Sequence, residues 1–484
     1  MYERIIKNSS RKLFFCLLLL LSLYVLPIIL ADRLYRDDVS RALIGAGGWN
    51  KDGRPLTELL LWLLNFGRPL ADLFPLPLLI SVLLLAGTFT LYLGSKLEKK
   101  ELSLSLLFAA FLPAASPFFI PNLSYRYDSV TMTLSLCLPF IAFAVPLEKR
   151  LQRFCLDFFV LLCVWCLFQP SASVYFALIF LELFFDIGKG RFEAGKLFTE
   201  AAAFISSAVI YLVFIAPAFV DSEGWRAEAS KLGLSPALLA GNIRKVFSIW
   251  EVFFSGLTKP VLLTGAAFFL LSWCLLVLKS PDRRFPARLY TFFLPFLLTA
   301  AAVAPLLVLS HMKTSEHMLA GMAVPLLLIG IGGVKADENR YLKTAASVLI
   351  LILMLWQFQY ISAYGNAMKS QKEYELYLAC SMAKDLDEAD PAEEVRYLTF
   401  EGTPPRAPEC TMLTEKYPAF GETVPVSFEN DDWLGAPLLY RFLQRELYCV
   451  DSEDASWKEL KAEKRNALYT LFIDKDHAWF IFSR

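Results

Sequence analysis

The chain has 484 residues, of which 56% are apolar and 19% are charged, and its mean hydropathy is +0.48. Water-soluble chains have roughly 25% charged residues, so this composition excludes an ordinary cytoplasmic enzyme and predicts that most of the chain lies in lipid. The 47 basic residues balance the 47 acidic ones, which gives no electrostatic support for a nucleic-acid partner, and three histidines are too few for a His-rich metal site.

Long apolar runs predict the membrane topology. A helix needs about 20 apolar residues to cross a hydrocarbon core of ~30 Å, and the sequence contains eleven runs of about that length. If the N-terminus is inside, the six inner segments hold 20 Lys and Arg in about 59 positions, against 13 in about 103 positions of the outer loops. Because basic residues accumulate on the cytoplasmic side, we expect an α-helical polytopic protein with the N-terminus inside and the C-terminus outside. The runs are 13–30, 75–94, 103–120, 130–146, 154–168, 172–187, 199–220, 260–278, 289–309, 318–334 and 344–362.

The fifth of these runs, 154–168, is the shortest, and it could instead form a re-entrant hairpin with the sixth. After the last run the composition becomes polar, so we expect residues 1–362 to form the transmembrane catalytic domain and residues 363–484 a small α/β domain outside the cytoplasm. One disulfide is expected among Cys380, Cys410 and Cys449, because an outer location is oxidising. Strands are predicted at 395–400, 424–428, 468–473 and 478–482, and helices at 370–388, 436–447 and 456–466.

The first outer loop, residues 31–74, has the densest pairing of opposite charges. Asp37 and Asp38 follow the first predicted membrane helix, with Arg36 and Arg41 beside them. Adjacent residues on a helix point about 100° apart, so only one of the two carboxylates can face a given site. A solvated helix end with local ion pairs is the alternative interpretation. Because the pair lies at the expected membrane surface, it is our first candidate for chemistry.

Residues 55–66 of the same loop form an amphipathic stretch of 12 residues, too short to span a bilayer. Pro55 suits the first helical turn, and leucines recur at spacings of 3 and 4 residues. We therefore expect an interfacial helix on the outer surface. Trp49 and Trp62 fit the same level, since Trp favours the membrane interface.

A second polar cluster is the short outer turn 121–129, Pro-Asn-Leu-Ser-Tyr-Arg-Tyr-Asp-Ser. Arg126 and Asp128 at the edge of a bilayer are unfavourable unless they are paired or face an aqueous cavity, so they indicate a functional surface. Tyr125 and Tyr127 could stack on a sugar ring while Arg126 binds its phosphate. The alternative is an interfacial aromatic belt with a snorkelling arginine.

The order of these motifs resembles the GtrII-type, serotype-converting glucosyl transferases of the GT-C superfamily. The matching elements are D-D-x-x-R at 37–41, W-x-x-x-G-R-P-L at 49–56 and N-L-S-Y-R-Y-D-S at 122–129. The similarity covers the layout of most of the membrane region. It implies a GT-C architecture in which an acidic residue of the first outer loop lies near the catalytic centre. It also implies a polyprenyl-phosphate sugar as donor, used on the outer face of a bacterial inner membrane.

The resemblance implies inverting transfer of a hexose, expected to be glucose, to a surface polysaccharide such as O-antigen or its lipid-linked precursor. A lipid phosphate is a good leaving group, so one base suffices, unlike the two carboxylates of glycosidases. Asp37 or Asp38 would take the proton of the acceptor hydroxyl, with Asp37 favoured by a small margin. The other site residues expected from the sequence are Arg41, Arg54, Arg126 and Lys313 for the donor phosphate, and Trp49, Tyr125, Tyr127, Asp128 and Gln169 for the sugar or acceptor.

No metal site and no cofactor beyond the lipid-linked donor is predicted, and dependence on a divalent metal is left open. The expected partners are the polyprenyl-phosphate sugar, a glycan acceptor and the lipid bilayer, and they could include the flippase and synthase that supply the donor. A transporter or flippase for lipid-linked sugars is the main alternative function, but it would carry charges in the middle of its spans. Asp157 and Glu182 lie toward span ends, which favours chemistry at the surface. A non-catalytic scaffold is the third interpretation.

Overall fold

The structure is a computed structural model in which most of the chain is helical. Where helices begin, local sequence supplies the caps: Ser103 and Ser235 each accept a hydrogen bond from a backbone N–H of the helix that follows. The residues that the structure describes are 2–97, 101–147, 149–220, 231–280, 282–312, 315–428, 435–443, 445–450 and 456–482.

The α-helices are Tyr2–Ala31, Asp38–Ile44, Pro55–Leu64, Leu76–Lys96, Leu104–Ala114, Ile120–Ser124, Ser129–Ala144, Arg150–Leu167, Ala172–Gly188, Ala194–Ile210, Ala216–Phe219, Pro236–Ser255, Lys259–Leu278, Phe285–Leu307, Ala323–Val334, Arg340–Ala389, Pro408–Lys416, Phe420–Thr423 and Gly435–Leu443. Short 3₁₀ turns are Trp49–Asp52, Pro117–Phe119, Gln169–Ser171, Glu316–Met318, Ala320–Met322, Lys335–Glu338 and Ser456–Glu459, and Tyr211–Ile215 is a π-helical turn.

Helices occupy each apolar run that the sequence predicts to cross the membrane. Within the described part of the chain, nine helices are long and apolar enough to span a bilayer, judged by length and composition. The runs at 130–146 and 154–168 form helices of 16 and 18 residues that do not belong to that set. The protein is therefore a polytopic membrane protein, whereas the count of eleven spans and the inside N-terminus stay predictions.

The outward faces of the helices are apolar. Leu19 and Leu30 of the first helix are 62% and 66% exposed. In helix Pro55–Leu64 the polarity is reversed relative to a soluble protein, because Glu58 is buried while Trp62 is exposed. Apolar side chains outside and polar ones inside are what a lipid environment favours. The helix predicted from the leucine spacing is thus confirmed, and its interfacial position stays a prediction.

Contacts divide the chain into two compact units. The helical unit consists of Met1–Leu26, Gly47–Gly67 and Leu73–Ile361. The tail unit consists of Pro27–Ala46, Arg68–Asp72 and Ser362–Arg484. Two stretches of the first outer loop therefore belong to the same unit as the C-terminal tail, which the sequence did not indicate. The domain assignment 1–362 and 363–484 stays a prediction.

The tail unit contains a five-stranded mixed sheet with strand order β2-β1-β5-β4-β3. β1 is parallel to β2 and β5, and β4 is antiparallel to β3 and β5. The register aligns Phe400 with Phe480 and Phe480 with Leu471, and this face packs against Leu386 and Leu439 of two helices. The strands are β1 Tyr397–Glu401, β2 Tyr448–Cys449, β3 Lys464–Arg465, β4 Tyr469–Asp474 and β5 His477–Phe482.

Three of the four predicted strands are confirmed as β1, β4 and β5. The strand predicted at 424–428 is wrong, because side chains rather than a neighbouring strand take up its backbone groups: Pro425 O accepts from Arg33, and Ser427 N donates to Glu375. Helices are confirmed at 370–388 and 436–447, within Arg340–Ala389 and at Gly435–Leu443.

The helix predicted at 456–466 is also wrong, because contacts with the sheet override its helical spacing. The described residues there form a short 3₁₀ turn and β3, which pairs with β4. The expected disulfide is not formed either. Cys410 is a buried thiol of helix Pro408–Lys416, Cys380 is an exposed thiol of another helix, and Cys449 is a free thiol on β2.

Candidate functional site

In the helical unit, the buried carboxylate of Glu58 holds the second half of the first outer loop in place. Pro55 begins helix Pro55–Leu64, and Glu58 lies in its first turn. The Glu58 carboxylate accepts hydrogen bonds from the backbone N–H groups of Gly48 at 2.8 Å and Trp49 at 3.0 Å. The loop is thereby folded back onto the helix that follows it. Sequence reasoning missed Glu58, and its place in a first helical turn was the one available signal.

Asp128 is the charged centre of the helical unit's part of the site. Its Oδ2 accepts a hydrogen bond from Trp49 Nε1 at 3.0 Å and lies 2.9 Å from Arg54 Nη1. Trp49 is fully buried and Asp128 is 2% exposed, so water does not screen this ion pair. Arg54 is fixed a second time, because its Nε donates to Leu167 O at 2.6 Å. The W-x-x-x-G-R-P-L motif and the 121–129 turn therefore meet at one carboxylate.

The Arg54–Asp128 pair has unused hydrogen-bonding capacity. Among the described residues, Arg54 Nη2 and Asp128 Oδ1 are buried and have no hydrogen-bond partner. Such atoms are rare in folded proteins and call for an explanation. A guanidinium held on two edges with a third edge unpaired can donate to an anion such as a phosphate, and the second carboxylate oxygen can accept from a hydroxyl.

Gly53 sets the direction of Arg54. Its φ of +71° lies in the left-handed region that favours glycine, and a Cβ there would collide with the Tyr211 hydroxyl. The Gly53 carbonyl accepts hydrogen bonds from Tyr211 OH at 2.8 Å and from Gln169 Nε2 at 3.2 Å. Gln169 Nε2 also donates to Tyr211 OH at 2.8 Å. Tyr211, which sequence reasoning missed, begins the π-helical turn, a feature frequent at functional sites.

The remaining residues of the 121–129 turn are mostly buried. Tyr125 and Tyr127 are 8% and 3% exposed, so they are enclosed by protein and do not form part of an aromatic belt at the surface. Arg126 is half-buried, and its guanidinium carbon lies 4.3 Å from the centroid of the Phe74 ring. This is a close cation–π contact. Lys313 lies outside the described residues.

In the tail unit, Asp37 and Asp38 have different surroundings. Asp38 is fully buried, and its Oδ2 accepts from the backbone N–H of Tyr35 at 3.3 Å. The Asp37 side chain is 34% exposed, and its Oδ2 lies 3.3 Å from Nη1 of Arg41. The Arg41 side chain is 10% exposed. Of the two adjacent carboxylates, therefore, Asp37 is the one that a solute can reach.

The predicted site residues thus fall into two groups. Asp37, Asp38 and Arg41 belong to the tail unit. The group in the helical unit contains Trp49, Arg54, Tyr125, Arg126, Tyr127, Asp128 and Gln169.

Within the part of the chain that the structure describes, no cluster of three or more His, Cys, Asp and Glu residues could hold a metal ion.

Comparison with known proteins adds an independent observation. A family model described as glucosyl transferase GtrII matches residues 26–334, which include every described residue of both groups. The chain is also 26% identical over 453 residues to an uncharacterised 55.3 kDa protein in the gtrB 5′ region of Salmonella phage P22, covering 91% of each chain. The C-terminal tail lies beyond the family match, which ends at residue 334.

We expect Asp128→Asn to lower the thermal stability of the purified protein in detergent. The amide can still accept from Trp49, but Arg54 loses its counter-charge in a buried site, a change that typically costs about 3–5 kcal/mol. Glu373→Gln is the control, because Glu373 and its partner Lys369 are 62% and 56% exposed and surface pairs contribute little. Equal denaturation temperatures for the two variants would contradict the assignment of Asp128 as the charged centre.

Proposed function

Because the chain belongs to the GtrII glucosyl transferase family and is a membrane glycosyltransferase, we propose that it moves a hexose, glucose, from a polyprenyl phosphate to a glycan acceptor. The proposed enzyme is an inverting transferase of GT-C type. A lipid-linked donor fits a chain whose described part contains nine helices able to span a bilayer. The proposed acceptor is a surface polysaccharide such as O-antigen or its lipid-linked precursor.

Asp37 is the proposed base. Its carboxylate takes the proton of the acceptor hydroxyl, the hydroxyl oxygen attacks the anomeric carbon, and the bond from that carbon to the phosphate oxygen breaks. The products are the glycosylated acceptor with inverted configuration, the polyprenyl phosphate, and a protonated Asp37 that returns its proton to water. The observation that carries this assignment is the difference in exposure, since Asp37 is reachable and Asp38 is fully buried.

Arg54 is the proposed principal ligand of the donor phosphate. Its support is the unpaired Nη2 on a guanidinium that Asp128 and Leu167 already orient. Arg41, Arg126 and Lys313 remain candidates for the same role. The residues proposed to contact the sugar or the acceptor are Trp49, Tyr125, Tyr127, Asp128 and Gln169. Their support is that Asp128 pairs with Arg54, Trp49 donates to Asp128, and Gln169 donates to the Gly53 carbonyl.

The proposed location is a bacterial inner membrane, with the C-terminal domain outside the cytoplasm. The charge asymmetry of the loops supports this orientation. The similarity to a protein in the gtrB 5′ region of a Salmonella phage supports a bacterial setting. The lipid bilayer and the enzymes that supply the lipid-linked donor are the proposed partners.

Replacing Asp37 with Asn should lower kcat for transfer from a polyprenyl-phosphate hexose by about 10² to 10⁴, because a general base contributes that much. Asp38→Asn should lower it by less than about tenfold, since the amide oxygen can still accept from Tyr35 N. The measurement is radiolabelled sugar transfer by the purified variants. Full activity of Asp37→Asn would remove the proposed base.

Arg54→Lys should raise KM for the lipid-linked donor by about tenfold, because an ammonium cannot keep the contacts to Asp128 and Leu167 and also donate to a phosphate. Arg244→Lys is a suitable control, since Arg244 is exposed on helix Pro236–Ser255. Initial rates at varied donor concentration give KM for both variants. An unchanged KM for Arg54→Lys would exclude the fork contact with phosphate.

The orientation can be tested with the native cysteines. Cys380 is exposed in the tail unit, so a membrane-impermeant maleimide should label it in spheroplasts. Cys410 is buried in the same unit and should react only after denaturation, which provides an internal control. Labelling is read by mass spectrometry of the peptides. Protection of Cys380 in spheroplasts, with labelling once the membrane is lysed, would place the tail inside.

A further inference from the structure

The chain just before Asp37 is anchored on the C-terminal tail by a buried ion pair. Nη2 of Arg33 donates to Oε2 of Glu375 at 2.8 Å, and the two side chains are 4% and 6% exposed. The same Nη2 donates to the carbonyl of Pro425 at 2.5 Å. All these residues belong to the tail unit. A charge-assisted pair without competing water holds its partners in one geometry.

Two further side chains next to Asp37 bind the same part of the tail. Tyr35 OH donates to Thr423 O at 3.0 Å, and Arg36 Nη2 donates to Glu422 O at 3.0 Å. Both backbone acceptors lie in the short helix Phe420–Thr423, two and three residues before Pro425. The segment 33–36 is therefore held at three of its four residues.

Glu375 is itself fixed on all sides. Its Oε1 accepts from Gln371 Nε2 at 3.0 Å and from Ser427 N at 2.9 Å, and its Oε2 accepts from Ser427 Oγ at 3.2 Å as well as from Arg33. Gln371 in turn accepts from the backbone N–H of Ala407 at 2.9 Å. Both carboxylate oxygens of Glu375 therefore have partners, which restricts the side chain to one position. The position of Arg33 thus depends on the long helix Arg340–Ala389, which carries Glu375.

Backbone conformation provides a second, independent observation. Asp32 and Arg36 have φ values of +47° and +48°, in the left-handed region that residues with a Cβ rarely adopt. Such residues persist only where the surroundings determine their conformation, and they cluster at functional sites. Lys372 of the tail donates to Asp32 O at 3.0 Å, and Arg36 binds the tail through its guanidinium. Asp32 directly precedes the anchored segment 33–36, and Arg36 is its last residue, directly before Asp37.

We propose that the C-terminal tail positions the catalytic base, with Glu375 and the carbonyls of Glu422, Thr423 and Pro425 acting through Arg33, Tyr35 and Arg36 to fix the Asp37 carboxylate. The proposal rests on the function proposed above. A base must be placed within a fraction of an ångström of its proton, and misplacement by about 1 Å can lower a rate 10²-fold. Glu375 and Tyr35 are therefore positioning residues, and the tail contributes to catalysis by orienting Asp37.

Two conservative variants test the proposal in the full-length enzyme. Glu375→Gln keeps the shape and, with its amide oxygen in place of Oε1, the hydrogen bonds from Gln371 Nε2 and Ser427 N, but its amide nitrogen cannot accept from Arg33. Tyr35→Phe removes one hydroxyl, which binds Thr423 O. Tyr469→Phe is the matched control, because it removes a hydroxyl that binds Asp385 elsewhere in the tail unit.

The measured quantities are kcat, KM for the polyprenyl-phosphate donor and the denaturation temperature of each variant. Misplacement of the base should lower kcat about tenfold or more for Glu375→Gln and to a smaller extent for Tyr35→Phe, with KM within about twofold. Tyr469→Phe should retain kcat. A similar loss of kcat in Tyr469→Phe would indicate a general effect of tail stability and would overturn the proposal, as would unchanged kcat in both Glu375→Gln and Tyr35→Phe.

Combination with Asp37→Asn separates positioning from a merely structural role. If Glu375 acts through Asp37, adding Glu375→Gln to Asp37→Asn should lower the residual kcat by less than about twofold. Losses that multiply would overturn the proposal. The test also distinguishes the two proposals: an inactive Asp37→Asn beside fully active Glu375→Gln and Tyr35→Phe rejects positioning alone, whereas a fully active Asp37→Asn rejects Asp37 as the base.

Discussion

A charge that is taken out of water needs an opposite charge or hydrogen-bond donors, and the arrangement of the first outer loop follows from that constraint. In the helical unit, Arg54 meets Asp128, and the tryptophan and glycine of its motif are ordered around the pair. In the tail unit, Arg33 meets Glu375, and the residues that lead to Asp37 are ordered around that pair. Each half of the loop therefore has one buried ion pair as its anchor.

The two anchors suit different tasks. Arg54 retains an unpaired N–H after its contacts to Asp128 and Leu167, and this N–H is the basis of its proposed role as the phosphate ligand. Near Asp37, by contrast, Arg33 and Arg36 bind the C-terminal tail and Arg41 pairs with Asp37, whose carboxylate is partly exposed. In the proposed reaction, Arg54 would be the anion ligand and Asp37 the proton acceptor that transfer from a lipid phosphate needs.

Four charged side chains near the ends of the apolar helices are also paired. Lys96 binds Glu182 at 2.5 Å and Arg153 binds Asp157 at 2.7 Å, each between buried or nearly buried side chains. Elsewhere the helices expose leucine and phenylalanine, as expected of surfaces in lipid. Local pairing explains how these four charges are accommodated near the ends of their helices. The position of the chemistry in the outer loop stays a prediction.

Local pattern determined the helices of the spans, helix Pro55–Leu64 and three of the five strands, because apolar periodicity and proline placement act over a few residues. The sequence also indicated Asp37 and Asp38 as a pair and the motif that contains Arg54. Tertiary structure decided which carboxylate is exposed and which groups bind each arginine. Arg54 is bound by a carbonyl 113 residues away and Arg33 by a carboxylate 342 residues away, and no local periodicity records such partners. For the same reason 424–428 is not a strand. Its backbone groups form hydrogen bonds with distant side chains, which come close only when the chain is folded.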